Sequence, residues 1–167
     1  PLITPKKRKF TEITYTPELS RFKMETISDT DREILFKRCL DVAACNIKLR
    51  ISFTTIKDRK KSTHNIKLKS FSEYISLHTS DYFYEESEDW KIGFAVSPNG
   101  FTNTSFVNSV HTSNGGTHVE YITNQLIAHL REFIKSKHKV EVKPNDIRNH
   151  VHVFIDSTII NSNFDAQ

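Results

Sequence analysis

The spacing of apolar residues changes several times along this chain, and each change marks an element. Glu12-Ile13-Thr14-Tyr15-Thr16 alternates polar and apolar up to Pro17, which predicts a short strand. From Ser28 the period lengthens. Ser28 with Asp31 has the form of a capping box, and Ile34, Leu35, Cys39, Val42 and Ala43 recur at helical spacing. Ile47, Leu49, Ile51 and Phe53 then alternate with polar residues, as in a half-buried strand. A polar, basic stretch (residues 54–65) separates them from a second short strand (66–69), so the pair reads as a hairpin with an over-long, mobile loop.

Residues 71–77 suit a short helix, and Trp90, Ile92, Phe94 and Val96 alternate as a clear strand. Pro98-Asn99-Gly100 is a turn, which predicts that residues 101–110 run back antiparallel beside that strand. After Asn114-Gly115-Gly116, the T-x-x-E pattern of Thr117 and Glu120 opens a helix. Its apolar face is Val119, Ile122, Leu126, Leu130 and Phe133, with Ile127 and Ile134 beside it. A loop over residues 135–139 ends it, residues 140–142 read as a small strand, and Pro144 as a turn or helix start. The last strand covers residues 149–160. Strands, helices and hairpins interleaved in this way predict an α+β domain.

At 167 residues, 37% hydrophobic and 26% charged, the chain has the make-up of one globular core, or of one domain with a piece of another. No apolar run approaches the roughly 18 to 20 residues of a membrane-spanning helix, and no signal-peptide pattern opens the chain. Pro1 stands where an initiating methionine is expected, so the sequence reads as an excised piece. Cys39 and Cys45 are too few and too close for a disulfide scaffold or a zinc site, and read as small core residues in a reducing compartment. The net charge of +4 is unevenly spread. Basic clusters at residues 6–9, 57–61 and 135–139 point to a nucleic-acid partner, while acids gather at residues 85–89.

Candidate chemistry is sparse. Gly115-Gly116 before a helix leaves backbone N–H groups free for an anion, but a tight strand-to-helix turn is the favoured explanation of the two glycines and needs no ligand, and no G-x-G-x-x-G or Walker motif occurs. His150 and His152 would share a strand face without a third ligand at metal-like spacing. His118, near a helix start, is expected to resist protonation. Glu85, Glu86, Glu88 and Asp89 read as a solvated loop, and no nucleophile–base–acid order can be assembled.

Two blocks carry a family resemblance. Ser105-Phe106-Val107-Asn108-Ser109-Val110-His111-Thr112-Ser113-Asn114-Gly115-Gly116-Thr117-His118-Val119-Glu120-Tyr121 and the tail Asn161-Ser162-Asn163-Phe164-Asp165-Ala166-Gln167 resemble, at matching separation, the transducer domain in the ATPase region of type IIA DNA topoisomerases. Asn149-His150-Val151-His152-Val153-Phe154-Ile155 is similar to the eukaryotic-type pattern, and the Asn, Lys and Ile content with shortened loops resembles the large subunit of T-even-type phage enzymes. Thr14-Tyr15-Thr16-Pro17-Glu18-Leu19-Ser20-Arg21-Phe22-Lys23-Met24 looks like the exit of the preceding ATP-binding domain, which sets the expected boundaries at residues 1–28 for that domain's end and 29–167 for the transducer.

The resemblance implies a mixed or antiparallel sheet with helices packed on one face, in a ribosomal-protein-like fold with a left-handed βαβ crossover. It implies a role in coupling ATP binding and dimer closure to capture and passage of duplex DNA. The whole enzyme would use ATP and Mg2+, work with an upstream ATP-binding domain and a DNA-cleaving subunit or domain, homodimerise on ATP binding, and sit in the host cytoplasm or the nucleus, not in a membrane. Gln167 matches the glutamine of a Gln-Thr-Lys loop that meets the ATP γ-phosphate, and the lysine would follow two residues on. Lys135, Lys137 and Lys139 occupy the place of a lysine-rich DNA-contacting loop, here about two residues shorter and interrupted by Ser136. No catalytic residue or metal ligand maps onto this stretch, so the isolated chain is expected neither to bind ATP tightly nor to hydrolyse it. Two other readings are the second domain of a mismatch-repair or chaperone ATPase of the same superfamily, and a stand-alone basic DNA-binding module.

Overall fold

The computed structural model describes residues 12–164. The chain divides into two compact units, one up to Ile34 and one from Leu35 onward. In the first, residues 12–18 have no regular structure and a 3-10 turn follows at Leu19–Phe22, closed by Lys23 in the left-handed region (φ 56°). The strand expected over residues 12–16 does not form, because no strand among the described residues supplies the ladder partner it needs. Helix α1 (Asp29–Cys45) begins here as expected. Ser28 Oγ accepts from Asp31 N–H at 3.1 Å, and Asp31 Oδ2 accepts from Ser28 N–H at 2.9 Å, a reciprocal capping box.

The second unit is built on a five-stranded sheet. Its strands are β3 (Tyr82–Glu86), β4 (Trp90–Val96), β5 (Thr102–Val107), β6 (Val110–His111) and β7 (Val151–Ser157), in the order β3-β4-β7-β5-β6. A separate ribbon pairs β1 (Ile51–Lys57) with β2 (Lys60–Ile66). The helices are the later part of α1, α2 (Phe71–Ser76), α3 (Thr117–His138) and α4 (Pro144–Arg148), with Pro144 at the first turn of α4, where its missing N–H costs nothing.

β7 is the centre of the sheet, antiparallel to β4 and parallel to β5. A parallel neighbour requires a long crossover, and α3 and α4 form it between β5 and β7. The expected β4–β5 pairing is therefore corrected. The Pro98-Asn99-Gly100 turn reverses the chain as predicted, but β7 occupies the slot between the two strands. Two strand spacings are only about 10 Å, which a five-residue link spans easily.

Alternate residues of β7 feed two cores. Val151, Val153 and Ile155 join Val119, Ile122, Ile127 and Ile147 of α3 and α4. Phe154 joins Phe106, Phe71, Tyr74, Ile75 and the α1 residues Ala43 and Ala44 on the opposite side. Helices thus cover both faces of the mixed sheet, not one, and this explains why β7 is buried along almost its whole length.

Three further expectations change. Ile47 and Leu49 lie in an exposed turn, and the supposed loop 54–65 is mostly β-ribbon, closed at Asp58 and Arg59, both with positive φ (50° and 62°). With almost no face to bury, that ribbon lacks the apolar alternation that reveals strands. β3 is masked in the sequence by its neighbouring acids, although half-buried Tyr82 and Tyr84 alternate with exposed Phe83 and Glu85. Residues 140–142 are irregular. On α1 the buried face is Ala43 and Ala44 with Phe36, Cys39 and Leu40, while Ile34, Leu35 and Val42 are exposed. Cys39 and Cys45 are free thiols packed against this core, and burial raises the pKa of both.

Four imidazoles near these cores share one perturbation. Burial lowers the pKa of His78, His111, His118 and His152, and His152, facing His78 across 6.2 Å, is lowered to about 4. The unfolded chain takes up these protons near pH 6.5, so between about pH 6.5 and 4 it binds more protons than the folded one. Their contribution to stability is complete above about pH 6.5 and is lost as the pH falls towards 4. The urea midpoint should fall between about pH 7 and pH 5, and His152→Gln should flatten that fall. A midpoint independent of pH over this range would contradict the assignment.

Candidate functional site

The site grows from the end of β5. Asn108 and Ser109 both have positive φ (51° and 67°), giving the tight turn that returns the chain through β6. Asparagine tolerates this conformation, and here its side chain is also used. Asn108 Oδ1 accepts from Ile159 N–H at 3.0 Å, while Nδ2 donates to Ile159 C=O at 2.9 Å and to Ser162 Oγ at 3.0 Å. The segment leaving β7 is thereby held by both edges of one amide. Asn46, just past α1, donates to Ser109 Oγ at 3.1 Å and so reaches the same turn.

Beyond β6 a polar relay leads to α3. Ser105 Oγ lies 2.9 Å from Asn103 Oδ1 and 2.6 Å from Thr112 Oγ1, which in turn lies 3.2 Å from His118 Nε2. His118 is buried, and that burial lowers its pKa, in the direction expected but without invoking the helix end. Gly115 and Gly116 make the turn into the helix with φ of 75° and 150°, and a Cβ on Gly116 would meet the His118 ring at 3.1 Å. The glycines thus have a conformational and a packing reason. The helix is capped by backbone: Gly116 C=O accepts from Val119 and Glu120. The expected Thr117–Glu120 capping box does not form, because Thr117 is already the first helical residue and Glu120 turns to Arg148, whose Nη1 donates at 2.8 Å. Val107, the stretch from His111 to His118, Ile159 and residues 161–164 of the tail line an open concavity of about 630 Å³.

The tail ends the described chain at Phe164, so Gln167 lies outside the described residues. The lysines lie at the other end of α3. The helix continues to His138, so Lys135 and Lys137 occupy its last turn and Lys139 is its left-handed cap (φ 58°), where a free loop was expected. All three are exposed and close together. Lys135 Nζ pairs with Glu141 Oε1 at 2.6 Å, and Lys137 Nζ lies 5.2 Å from the Phe133 ring, which is exposed and not on the buried face. At 22 residues, α3 separates the lysines from the Gly-Gly turn by about 33 Å. His150 precedes β7 and faces Asp146 C=O at 2.8 Å, while His152 engages Thr104 at 3.1 Å, so the two imidazoles do not act as a pair. The tethering role of Asn108 is not apparent from the sequence pattern. Its one signal there is the Asn-Ser pair, two residues tolerant of positive φ between apolar strands.

Comparison with known proteins gives a consistent result. The family profile described as DNA gyrase B matches residues 52–167. DNA topoisomerase 2 top-2 of Caenorhabditis elegans is 33% identical over 95% of this chain, and probable DNA topoisomerase 2 of Dictyostelium discoideum is 34% identical over 96%. The chain spans 11% of the length of each. The ATPase region of Saccharomyces cerevisiae topoisomerase II superposes with a TM-score of 0.75 at 30% identity, covering 90% of this chain and 38% of that one. The ATPase and transducer domains of DNA topoisomerase II from Balamuthia mandrillaris give 0.73 at 36% identity, with the same coverage. The B subunit of Myxococcus xanthus DNA gyrase, at 17% identity and a TM-score of 0.61, shares the fold.

Proposed function

This chain belongs to the DNA gyrase B family, and on that premise we propose that it is the coupling segment of an ATP-hydrolysing type IIA DNA topoisomerase. Residues 29–167 form the transducer and residues 1–28 the end of the ATP-binding domain before it. The transducer links ATP binding and closure of the dimeric ATPase region to capture and passage of a DNA duplex by the DNA-cleaving part of the enzyme. ATP and Mg2+ belong to the whole enzyme. The two sequence relatives described above are eukaryotic and lend no support to a phage subclass.

One observation carries the reading. A single helix, α3, starts at the turn beside the anchored tail that leads to Gln167 and ends in three exposed lysines. A helix hydrogen-bonded along its length moves as a unit, so a displacement of the tail turn reaches the lysines about 33 Å away. Gln167 meets the γ-phosphate, and Lys135, Lys137 and Lys139 meet DNA phosphate, which suits ammonium groups that need no fixed geometry.

Replacing all three lysines by alanine in the full-length enzyme should weaken DNA-stimulated ATP hydrolysis. It should also reduce the log–log salt slope of DNA binding by about 0.9 for each phosphate no longer neutralised. Lys135 should contribute least, because Glu141 already engages it. Unchanged stimulation and an unchanged slope would leave these lysines as the cationic end of a helix and no more.

A further inference from the structure

We propose that the β1–β2 ribbon is a second DNA-docking arm, directed at the phosphates of a duplex. The proposal rests on the topoisomerase reading and adds a site distinct from the lysines of α3.

Between Lys48 and Lys69 the sequence holds eight lysines or arginines and one acid, Asp58, more positive charge than the net +4 of the entire chain. All eight cations are exposed, and among the described residues none is paired with a carboxylate. The ribbon hydrogen-bonds to no strand of the main sheet. Its root is fixed by Ile66, by Leu68 just beyond it, and by Phe53, whose ring packs 5.6 Å from Phe36 of α1. Beyond Phe53 and its register partner His64, four residues per strand extend about 14 Å to a tip with nothing to bury.

Two features favour a polyanion over plain solvation. Lys57 and Lys60 stand directly opposite each other in the ladder, an arrangement that costs stability when unpartnered and is relieved by a phosphate between them. The outward face carries Lys61 in line with the Thr54–Thr63 and Ser52–Asn65 pairs, side chains of the kinds that hydrogen-bond phosphate oxygens. A membrane surface fits less well, because Ile56 is the single apolar residue on that face and no apolar stripe is present to enter lipid. A two-stranded ribbon also has the width that the DNA major groove, about 12 Å across, admits.

The test measures binding of the 167-residue chain to a labelled mixed-sequence duplex by fluorescence anisotropy between about 50 and 200 mM salt. The set K57A, R59A, K60A and K61A should weaken binding at least about tenfold at low salt and lower the slope by about 0.9 for each phosphate no longer neutralised. The charge-conserving set K57R, K60R and K61R should bind like the parent. The unfolding midpoint of the arginine set should match the parent and that of the alanine set should be no lower, because the tip lies outside the cores and alanine removes the Lys57–Lys60 repulsion, and this separates a weakened DNA interface from a damaged fold. Parent-like binding by the alanine set, with weakened binding by the triple variant of Lys135, Lys137 and Lys139, overturns the arm and leaves the topoisomerase reading standing. No binding by the parent chain overturns the arm as well, and the reading is then judged by ATP hydrolysis of the full-length enzyme. Alanine-sensitive binding to phosphatidylserine vesicles, with DNA binding unaltered, overturns it in favour of a membrane surface.

Discussion

Phe154→Ala should destabilise the chain by about 3 to 5 kcal/mol, the range for deleting a fully buried aromatic ring. Phe154 sits on the central strand, fully buried, with Gly93 of β4 and Thr104 of β5 as its register neighbours. Its ring stacks on His152 at 3.9 Å and lies 5.4 Å from His78, within the cluster of Phe71, Tyr74 and Phe106. The space left by the ring cannot be refilled cheaply, because its walls are strands paired on both sides and helices already packed. Gly93 shows how tight the site is: a Cβ there would run into Ile75 Cδ1 and touch Phe154 Cβ at 3.5 Å. Chemical denaturation of the two proteins measures the difference. Phe133→Ala, on the exposed side of α3, is the control and should stay within about 0.5 kcal/mol of the parent. Equal losses for the two variants would mean that the sheet does not place Phe154 as described.

Gln167→Ala in the full-length enzyme should slow ATP hydrolysis about tenfold to a hundredfold and weaken nucleotide-driven dimer closure, with nucleotide-free DNA binding unaltered. A side-chain hydrogen bond to a charged phosphate oxygen is worth roughly 1.5 to 3 kcal/mol, which sets that range. Asn108→Ala should act in the same direction and more weakly, because it releases the segment leading to Gln167 without touching nucleotide. Its separate signature is faster amide exchange at Ile159, whose N–H the Asn108 side chain accepts at 3.0 Å. Wild-type hydrolysis by Gln167→Ala removes the γ-phosphate role. Unchanged exchange in Asn108→Ala removes the tether alone.

Elements with strong local signals were legible in the chain. The Ser28–Asp31 box, the alternation from Trp90 to Val96, the helix beginning at Thr117 and Pro144 at a helix start all form where the pattern places them. Each depends on hydrogen bonds or periodicity within a few residues, so no distant partner is needed to determine it. The lysines of residues 135–139 were legible as a cluster for the same reason, but their helical setting was not. The apolar period ends at Ile134, and the last turn of α3 is carried by backbone hydrogen bonding that solvent-facing residues do not advertise.

The remaining features depend on which segments meet. β1 and β2 are strands because they pair with each other, and apart from half-buried Ile51 and Phe53 at its root the ribbon is largely exposed on both sides and leaves little alternation to read. Residues 12–16 alternate and yet form no strand, since alternation without a partner leaves backbone groups to water. The sequence alone determined that the chain turns back at Pro98-Asn99-Gly100 and that α3 is amphipathic, whereas the tight turn at Asn108-Ser109 interrupts what reads there as one strand over residues 101–110. Only the tertiary structure decided that β7 enters between β4 and β5, because the central slot goes to the strand that can be buried on both faces. That insertion brings the exit of β7 beside Asn108 and buries the N-terminal half of α3 against the sheet, and no spacing within the sequence records it.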